Sequence, residues 1–250
     1  MKNLVYILLV IVLSSCNNED APNCFQNSGD IIQEEFVVSD FTKITVFSRV
    51  ELIVKQSNTQ SVIVETGEYL LNDIEVKVEN NRLSIINNNA CNLTRDYSLT
   101  KVYVSAPNLT EIRNGSGLTV SSDGILAFDN LKLISEDFNA EGDVNSDGDF
   151  NVKVDCAALD CVVNNLSSMF ISGQVDDLFI GYYSGDARFE GRHLIAQNIE
   201  IFQRSSNDMI VNPQQSLIGE IRSTGDVISV NTPPTVEVEE FYTGQLIFEN

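Results

Sequence analysis

A short acidic segment near the middle of the chain has the residue types and spacing of a calcium-binding loop. Its alternating oxygen-bearing side chains are Asp143, Asn145, Asp147 and Asp149. Alternate oxygens with a glycine at the sharp turn, here Gly148, can surround a hard cation such as Ca²⁺. Position twelve of such a loop is normally a bidentate glutamate, whereas here it is Val154. The segment therefore predicts either a calcium site or an Asp/Asn/Gly turn between strands, and no other cofactor is expected.

The first sixteen residues have the pattern of an exported protein with a lipid anchor. Lys2 precedes an unbroken apolar run over residues 4–13. Ten helical residues rise about 15 Å, which is too short for a bilayer core of about 30 Å. The run is therefore typical of a signal peptide. The string Leu13-Ser14-Ser15-Cys16 resembles a bacterial lipobox, which predicts removal of residues 1–15 and acylation of Cys16. An ordinary secretory peptide is the alternative.

Acidic residues follow the predicted lipid-bearing cysteine directly, in Asn17-Asn18-Glu19-Asp20. Such residues resemble an export signal that sends some lipoproteins to the outer leaflet of the outer membrane. A solvated polar tether is an equally good interpretation. We predict a lipoprotein of the cell envelope, attached to the outer membrane through acyl chains.

Four cysteines remain after Cys16, and an even number is typical of disulfides in an oxidising compartment. Only four residues separate Cys156 from Cys161, so a tight corner between two strands would bring them within bonding distance. Cys24 and Cys91 would form the second disulfide and contribute about 4 kcal/mol in the chain-entropy model. A zinc site is a poor alternative, because the spacing is not CxxC and the single histidine is distant in sequence.

The composition excludes several classes of function. The chain has 15 basic and 36 acidic residues and a formal charge of −21, which argues against nucleic acid and strongly anionic ligands. A single histidine, His193, excludes most His-dependent catalysis. The many acidic residues supply carboxylate pairs, but nothing distinguishes a catalytic pair from a solvated acidic surface. We predict a protein that is not an enzyme, with a glycosidase or lyase as the alternative.

Aromatic residues in the second half of the chain could stack on sugar rings. The predicted alternation places Phe170, Phe179 and Phe202 in the core. In the adjacent pair Tyr182-Tyr183, at least one ring must point outward from a regular strand. This pair is therefore the predicted contact for a glycan or protein ligand.

The elements that would position these residues are short strands. Residues 74–79 and 82–86 alternate cleanly around Asn80-Asn81, which indicates a hairpin because Asn tolerates positive φ. No capped segment of ten residues with helical periodicity follows the signal. The fold class is therefore all-β.

From about residue 100, apolar runs recur at an irregular spacing near 20 residues, each followed by a polar corner and another short strand. The runs begin at Leu131, Leu159, Leu178, Ile199 and Leu217. Such units must stack to bury their apolar faces, which predicts a β-solenoid, with a β-sandwich as the competing architecture. The side chains expected to point inward are Leu131, Leu133, Leu178, Ile180, Ile199, Ile201 and Ile221. Lys132 and Glu200 are expected to face solvent.

Several segments resemble the head-GIN domain family, whose members are often described as putative auto-transporter adhesins. They are residues 109–117 (LTEIRNGSG), the later Gly-Asp corners and residues 223–234 (STGDVISVNTPP). The resemblance covers roughly residues 36–248. It implies a right-handed parallel β-helix, preceded by β-hairpin strands, on a secreted or surface lipoprotein. The chain departs from the family's repeated Ser-Gly-Ser-Gly corner at residues 166–169 and 205–208.

Together these observations predict a signal peptide over residues 1–15, a lipidated polar tether over residues 16–35 and one β-helix domain over residues 36–248. The expected function is an adhesin-like binding or scaffolding module without catalysis. A β-helix enzyme acting on a polysaccharide is the alternative. The expected partners are the membrane, through the anchor, and a glycan or protein ligand, but not nucleic acid.

Overall fold

The computed structural model describes Cys24, Cys91 and residues 26–89, 99–138 and 144–249. Across these residues the protein is all-β, as predicted, with one short 3-10 helix at Leu71–Asp73. All strands belong to one 19-stranded sheet. None of the described helical residues forms a helix long and apolar enough to cross a membrane.

Strands occupy the chain from residue 31 almost to its end. In the first half they are β1 Ile31–Glu35, β2 Lys43–Val46, β3 Glu51–Gln56, β4 Ser61–Gly67, β5 Ile74–Glu79, β6 Arg82–Asn87, β7 Lys101–Ala106, β8 Glu111–Asn114 and β9 Val120–Leu126. In the second half they are β10 Asn130–Ser135, β11 Phe150–Val163, β12 Met169–Tyr182, β13 Phe189–Glu190, β14 Leu194–Gln203, β15 Met209–Val211, β16 Pro213–Ile221, β17 Val227–Ser229, β18 Thr235–Glu240 and β19 Leu246–Phe248.

The N-terminal strands make the sheet mixed, and antiparallel pairing extends beyond the predicted hairpin, so a parallel β-helix does not describe all of residues 36–248. β5 and β6 form the predicted antiparallel hairpin, with Asn80 and Asn81 at φ values of 50° and 63°. β4 is antiparallel to both β1 and β7, while β2 and β3 pair in parallel with later strands. β1 lies inside residues 16–35, so the paired part of the chain begins within the predicted tether.

The second half stacks strands in parallel at the predicted repeat. The register aligns Leu131 with Leu159, Leu178, Ile199 and Leu217, and then with Val236 of β18. A second parallel stack runs through β13, β15, β17 and β19. The aligned residues are the starts of the apolar runs, so the repeat read from the sequence is confirmed as a repeat of strand pairing. An antiparallel sandwich does not have this register.

The core lies along these aligned positions. The seven side chains expected to point inward are each at most 3% exposed: Leu131, Leu133, Leu178, Ile180, Ile199, Ile201 and Ile221. Glu200 is exposed and Lys132 is half-buried on the opposite face. Side chains alternate across a strand, so the residue between two inward-pointing residues points to the outer face. That outer face carries the candidate site.

Candidate ligand-binding surface

The outer face of the parallel stack carries a continuous row of rings and one arginine. Ile180 and Tyr182 of β12 point inward, as do Ile201 of β14 and Ile221 of β16, so their neighbours point outward. We call the surface formed by Phe179, Tyr183, Phe202, Arg222 and Phe241 the aromatic face. Phe179 lies on β12 and Phe202 on β14, while Tyr183, Arg222 and Phe241 directly follow the ends of β12, β16 and β18. These four strands pair side by side in the order β12, β14, β16, β18.

Four of its members, Tyr183, Phe202, Arg222 and Phe241, contact one another in that order. The ring centroids of Tyr183 and Phe202 are 5.2 Å apart with an interplanar angle of 33°. The guanidinium carbon of Arg222 lies 6.0 Å from the centroid of Phe202 and 4.0 Å from that of Phe241. These distances allow cation–π attraction to both rings. Adjacent strands are about 4.8 Å apart, so the row extends about 14 Å across four strands.

Gly181 makes room for two of the rings. A Cβ atom at this position would lie 2.9 Å from Cε1 of Phe179 and 3.0 Å from Cε2 of Tyr183. Real Cβ atoms do not sit this close to ring carbons without displacement of the rings. The absence of a side chain at Gly181 therefore lets the flanking rings lie close over the backbone.

Charged groups surround the rings. Glu220 accepts a hydrogen bond from Nε of Arg222, and this bond and the positive charge lower the pKa of Glu220. The same carboxylate raises the pKa of Arg222, with a further contribution from Glu239. Glu200 and Glu237 occupy the same column of the face as Phe179. The surface thus presents apolar rings beside ionised donors and acceptors.

The two tyrosines predicted to contact a ligand lie on opposite faces of the sheet. Tyr182 is fully buried, packs edge-on against Phe189 with centroids 6.2 Å apart, and donates from its hydroxyl to the carbonyl of Arg188 at 3.3 Å. The prediction that Tyr182 contacts a ligand is therefore wrong. Tyr183 is 39% exposed and belongs to the aromatic face.

Three phenylalanines expected in the core lie elsewhere. Phe170 is 41% exposed, and Phe179 and Phe202 are half-buried on the outer face. The reason is the alternation itself, because Leu178 and Ile201 are inward and their immediate neighbours must point outward. Applied consistently, the alternation that places Leu178 and Ile201 inward predicts from the sequence that Phe179 and Phe202 point outward.

The predicted calcium loop lies at a corner between repeats. Asn145 donates from Nδ2 to Oγ of Ser48 at 3.1 Å, and Oδ1 of Asp149 accepts the backbone N–H of Ser168 at 2.8 Å. Asp143 lies outside the described residues. Across the part of the chain that is described, no group of three or more His, Cys, Asp or Glu side chains could hold a metal ion. A calcium site at Asp143, Asn145, Asp147 and Asp149 stays a prediction.

Of the two predicted disulfides, the structure contains one. Cys24 and Cys91 are bonded, with Cα atoms 4.5 Å apart. Cys156 and Cys161 are buried free thiols, so their predicted pairing is wrong. Both lie on β11, and five extended residues cover about 16 Å, whereas Cα atoms beyond about 7 Å cannot be bridged. Burial raises the pKa of both thiols. Cys16 lies outside the described residues.

Comparisons with known proteins match the chain to a family model and, separately, to solved structures. The model of the family described as "putative auto-transporter adhesin, head GIN domain" matches residues 40–233. No functionally curated protein matches the chain.

Solved structures from Bacteroides and Parabacteroides share the fold. A putative adhesin from Bacteroides fragilis NCTC 9343 is 17% identical with a TM-score of 0.78, over 88% of this chain and 97% of that chain. A putative lipid binding protein from Parabacteroides distasonis ATCC 8503 is 16% identical with a TM-score of 0.67, over 89% and 98%. A putative adhesin from Parabacteroides merdae ATCC 43184 is 16% identical with a TM-score of 0.64, over 89% and 97%.

Proposed function

The chain belongs to the head-GIN domain family, and from that premise we propose that it is a lipid-anchored, adhesin-like binding module of the cell envelope that works without catalysis. Its scaffold in this proposal is a right-handed parallel β-helix. The parallel register of β10, β11, β12, β14, β16 and β18 and the shared inward column support that assignment.

The anchor in this proposal is Cys16, acylated after removal of residues 1–15. The apolar run over residues 4–13 and the Leu13-Ser14-Ser15-Cys16 string support it. Residues 17–30 would then connect the anchor to β1, the first strand of the sheet. This arrangement holds the module at the outer membrane and leaves its sheet surfaces accessible to a ligand.

The aromatic face is the observation that carries the binding function. On the surface of soluble proteins, large apolar side chains form contiguous patches mainly where they contact a partner. Here Tyr183, Phe202 and Phe241 are connected through ring and cation–π contacts, with Tyr183 and Phe241 well exposed. Rings held by neighbouring strands lose little conformational entropy on binding, which favours affinity.

The enzymatic alternative has less support on this surface. A glycosidase needs one carboxyl group whose pKa is raised, so that it can donate a proton near neutral pH. Arg222 lowers the pKa of Glu220, the carboxylate hydrogen-bonded within the face, which is the opposite direction. Glu220 is therefore a poor candidate for the proton donor of a glycosidase.

An array of immobilised glycans and proteins, with detection of released products, tests the proposal. We expect the wild-type protein to bind and to leave its ligand intact, and the double variant Tyr183→Ala/Phe202→Ala to lose binding. Phe170→Ala removes an exposed ring from β12, outside the aromatic face, and should bind normally. Unchanged binding by the double variant, or release of a cleaved product, would contradict the proposal.

A further inference from the structure

The chemistry of the aromatic face points to one class of ligand. We propose that it binds an uncharged glycan, with sugar rings stacked on Tyr183, Phe202 and Phe241. This inference rests on the proposed binding function and names the ligand for the same surface. The supporting observations are the continuity of the rings, the donors and acceptors beside them, and the sign of the surrounding charge.

The first observation is the alternation of apolar and polar contacts. A sugar ring has an apolar face of C–H groups and a rim of hydroxyls, so it needs a flat apolar support with donors and acceptors at its edge. Tyr183 and Phe202 supply the support at 5.2 Å between centroids. Arg222 and Glu220, hydrogen-bonded to each other beside Phe202, supply a donor and an acceptor.

The second observation is the charge of the face. The carboxylates that share its outward columns on β14, β16 and β18 are Glu200, Glu220, Glu237 and Glu239. The cations beside its rings are Arg222, which is stacked on two of them, and the exposed Arg204, which directly follows β14. The whole chain carries −21. Such a field repels anionic ligands and therefore disfavours uronate-rich or sulfated glycans. An uncharged glycan meets no such repulsion.

The third observation separates a glycan from an apolar protein surface. A dry protein interface would bury Arg222 and Glu220 together with the rings, and buried ion pairs are costly to desolvate. A hydroxyl-rich ligand can keep both groups hydrogen-bonded, directly or through water. The face is also a narrow row about 14 Å long, which suits a short run of sugar rings better than a broad protein contact.

Titration calorimetry with neutral polysaccharides tests the ligand class. The probes are mannan, laminarin and xylan, with polygalacturonate and heparin as anionic comparisons. We expect the wild-type protein to bind at least one neutral probe and neither anionic probe. Tyr183→Ala and Phe202→Ala should each weaken that binding at least about tenfold. Tyr183→Phe keeps the ring and should retain most of it.

Two further variants separate binding from folding. Gly181→Ala adds a Cβ beneath Phe179 and Tyr183 without removing a ring, and should weaken binding by displacing them. Phe170→Ala, on β12 but outside the aromatic face, should bind as the wild type does and lose about as much stability as Tyr183→Ala. Binding of an anionic probe, or loss of binding in Phe170→Ala equal to that in Phe202→Ala, would overturn the glycan assignment. Aromatic-face variants that lose binding to an arrayed protein, while no neutral glycan binds, would overturn the ligand class and leave the proposed function standing.

Discussion

Tyr182 and Tyr183 are neighbours in the chain, yet their rings lie on opposite sides of the same sheet. Tyr182 is fully buried against Phe189, while Tyr183 is 39% exposed beside Phe202. The same alternation runs through β14, where Ile201 is inward and Phe202 outward. One structural rule therefore produces both the core and the proposed binding surface.

The two tyrosines should differ sharply in their effect on stability. Tyr182→Ala removes a buried aromatic side chain and should lower the free energy of unfolding by about 3–5 kcal/mol. Tyr183→Ala removes a half-exposed ring and should cost roughly 1 kcal/mol or less. Urea denaturation of both variants measures the difference. Equal losses would contradict the assignment of Tyr183 to the outer face.

The repeats should depend on one another because they share a core. Ile199→Ala should cost about 2–5 kcal/mol if the cavity does not collapse. Its neighbours in the register are Leu178 on β12 and Leu217 on β16, so hydrogen exchange should show lost protection in both strands. Protection lost only within β14 would contradict stacking of the repeats.

Close approach of the repeats should make Gly219 sterically irreplaceable. Gly219 has a φ of 128°, and a Cβ there would lie 2.0 Å from the carbonyl oxygen of Ile201. Gly124 also has a positive φ of 93°, but a Cβ there meets no atom within 4 Å. In both alanine variants the positive φ is unfavourable for alanine and lowers the free energy of unfolding. Gly219→Ala should be at least about 2 kcal/mol less stable than Gly124→Ala in thermal unfolding, and similar values would contradict the close approach of Gly219 to Ile201.

The free thiols should make stability depend on pH in the alkaline range. An unfolded cysteine ionises near pH 8.5, whereas burial raises the pKa of the Cys161 thiol in the folded protein. The folded state therefore retains its proton while the unfolded state releases one. This contribution is present below about pH 8.5 and is lost as the pH rises above it.

Chemical denaturation at increasing pH measures this loss, and Cys161→Val removes the titrating group as a control. The wild-type protein should lose stability more steeply than Cys161→Val. Alkylation of the denatured, unreduced protein should also label Cys156 and Cys161 but not Cys24 or Cys91. Parallel pH profiles for the two proteins, or an unlabelled Cys161, would contradict the free, buried thiol.

The proposed anchor predicts a defined N-terminus. Mass spectrometry of the native protein should find a diacylglyceryl group on Cys16, and Cys16→Ala should release the protein from the membrane fraction. Export should persist in this variant, because the apolar run remains. Cleavage at another residue with an unmodified Cys16 would contradict lipid anchoring.

The sequence predicted the parts of the fold that depend on short-range patterns. Leu131, Leu178 and Ile199 begin apolar runs whose spacing revealed the repeat, and Asn80-Asn81 marked the hairpin because few other residues tolerate positive φ. The pairing of β1 with β4 joins segments about thirty residues apart, and no local pattern encodes it. The same limit explains the incorrect Cys156–Cys161 pairing. A corner was expected between these two cysteines, but β11 continues through both and holds their Cα atoms too far apart for a disulfide.

The aromatic face was only partly predictable. At least one ring of the pair Tyr182-Tyr183 was expected outside because adjacent residues in a strand alternate, but the sequence did not say which one. Phe179 and Phe202 were assigned to the core. Neither the contact of Arg222 with Phe241 nor the room provided by Gly181 follows from the sequence, because both depend on the register between strands. Register is a long-range property that a single strand does not specify.

The most direct test of the binding surface is ring NMR of protein labelled selectively at Phe and Tyr, titrated with a neutral oligosaccharide from the polysaccharide that binds. We expect shifts at Tyr183, Phe202 and Phe241, with Tyr182 and Phe170 unchanged. Shifts confined to Phe170, or saturation without any change at Tyr183 and Phe202, would contradict the aromatic face as the ligand-binding surface.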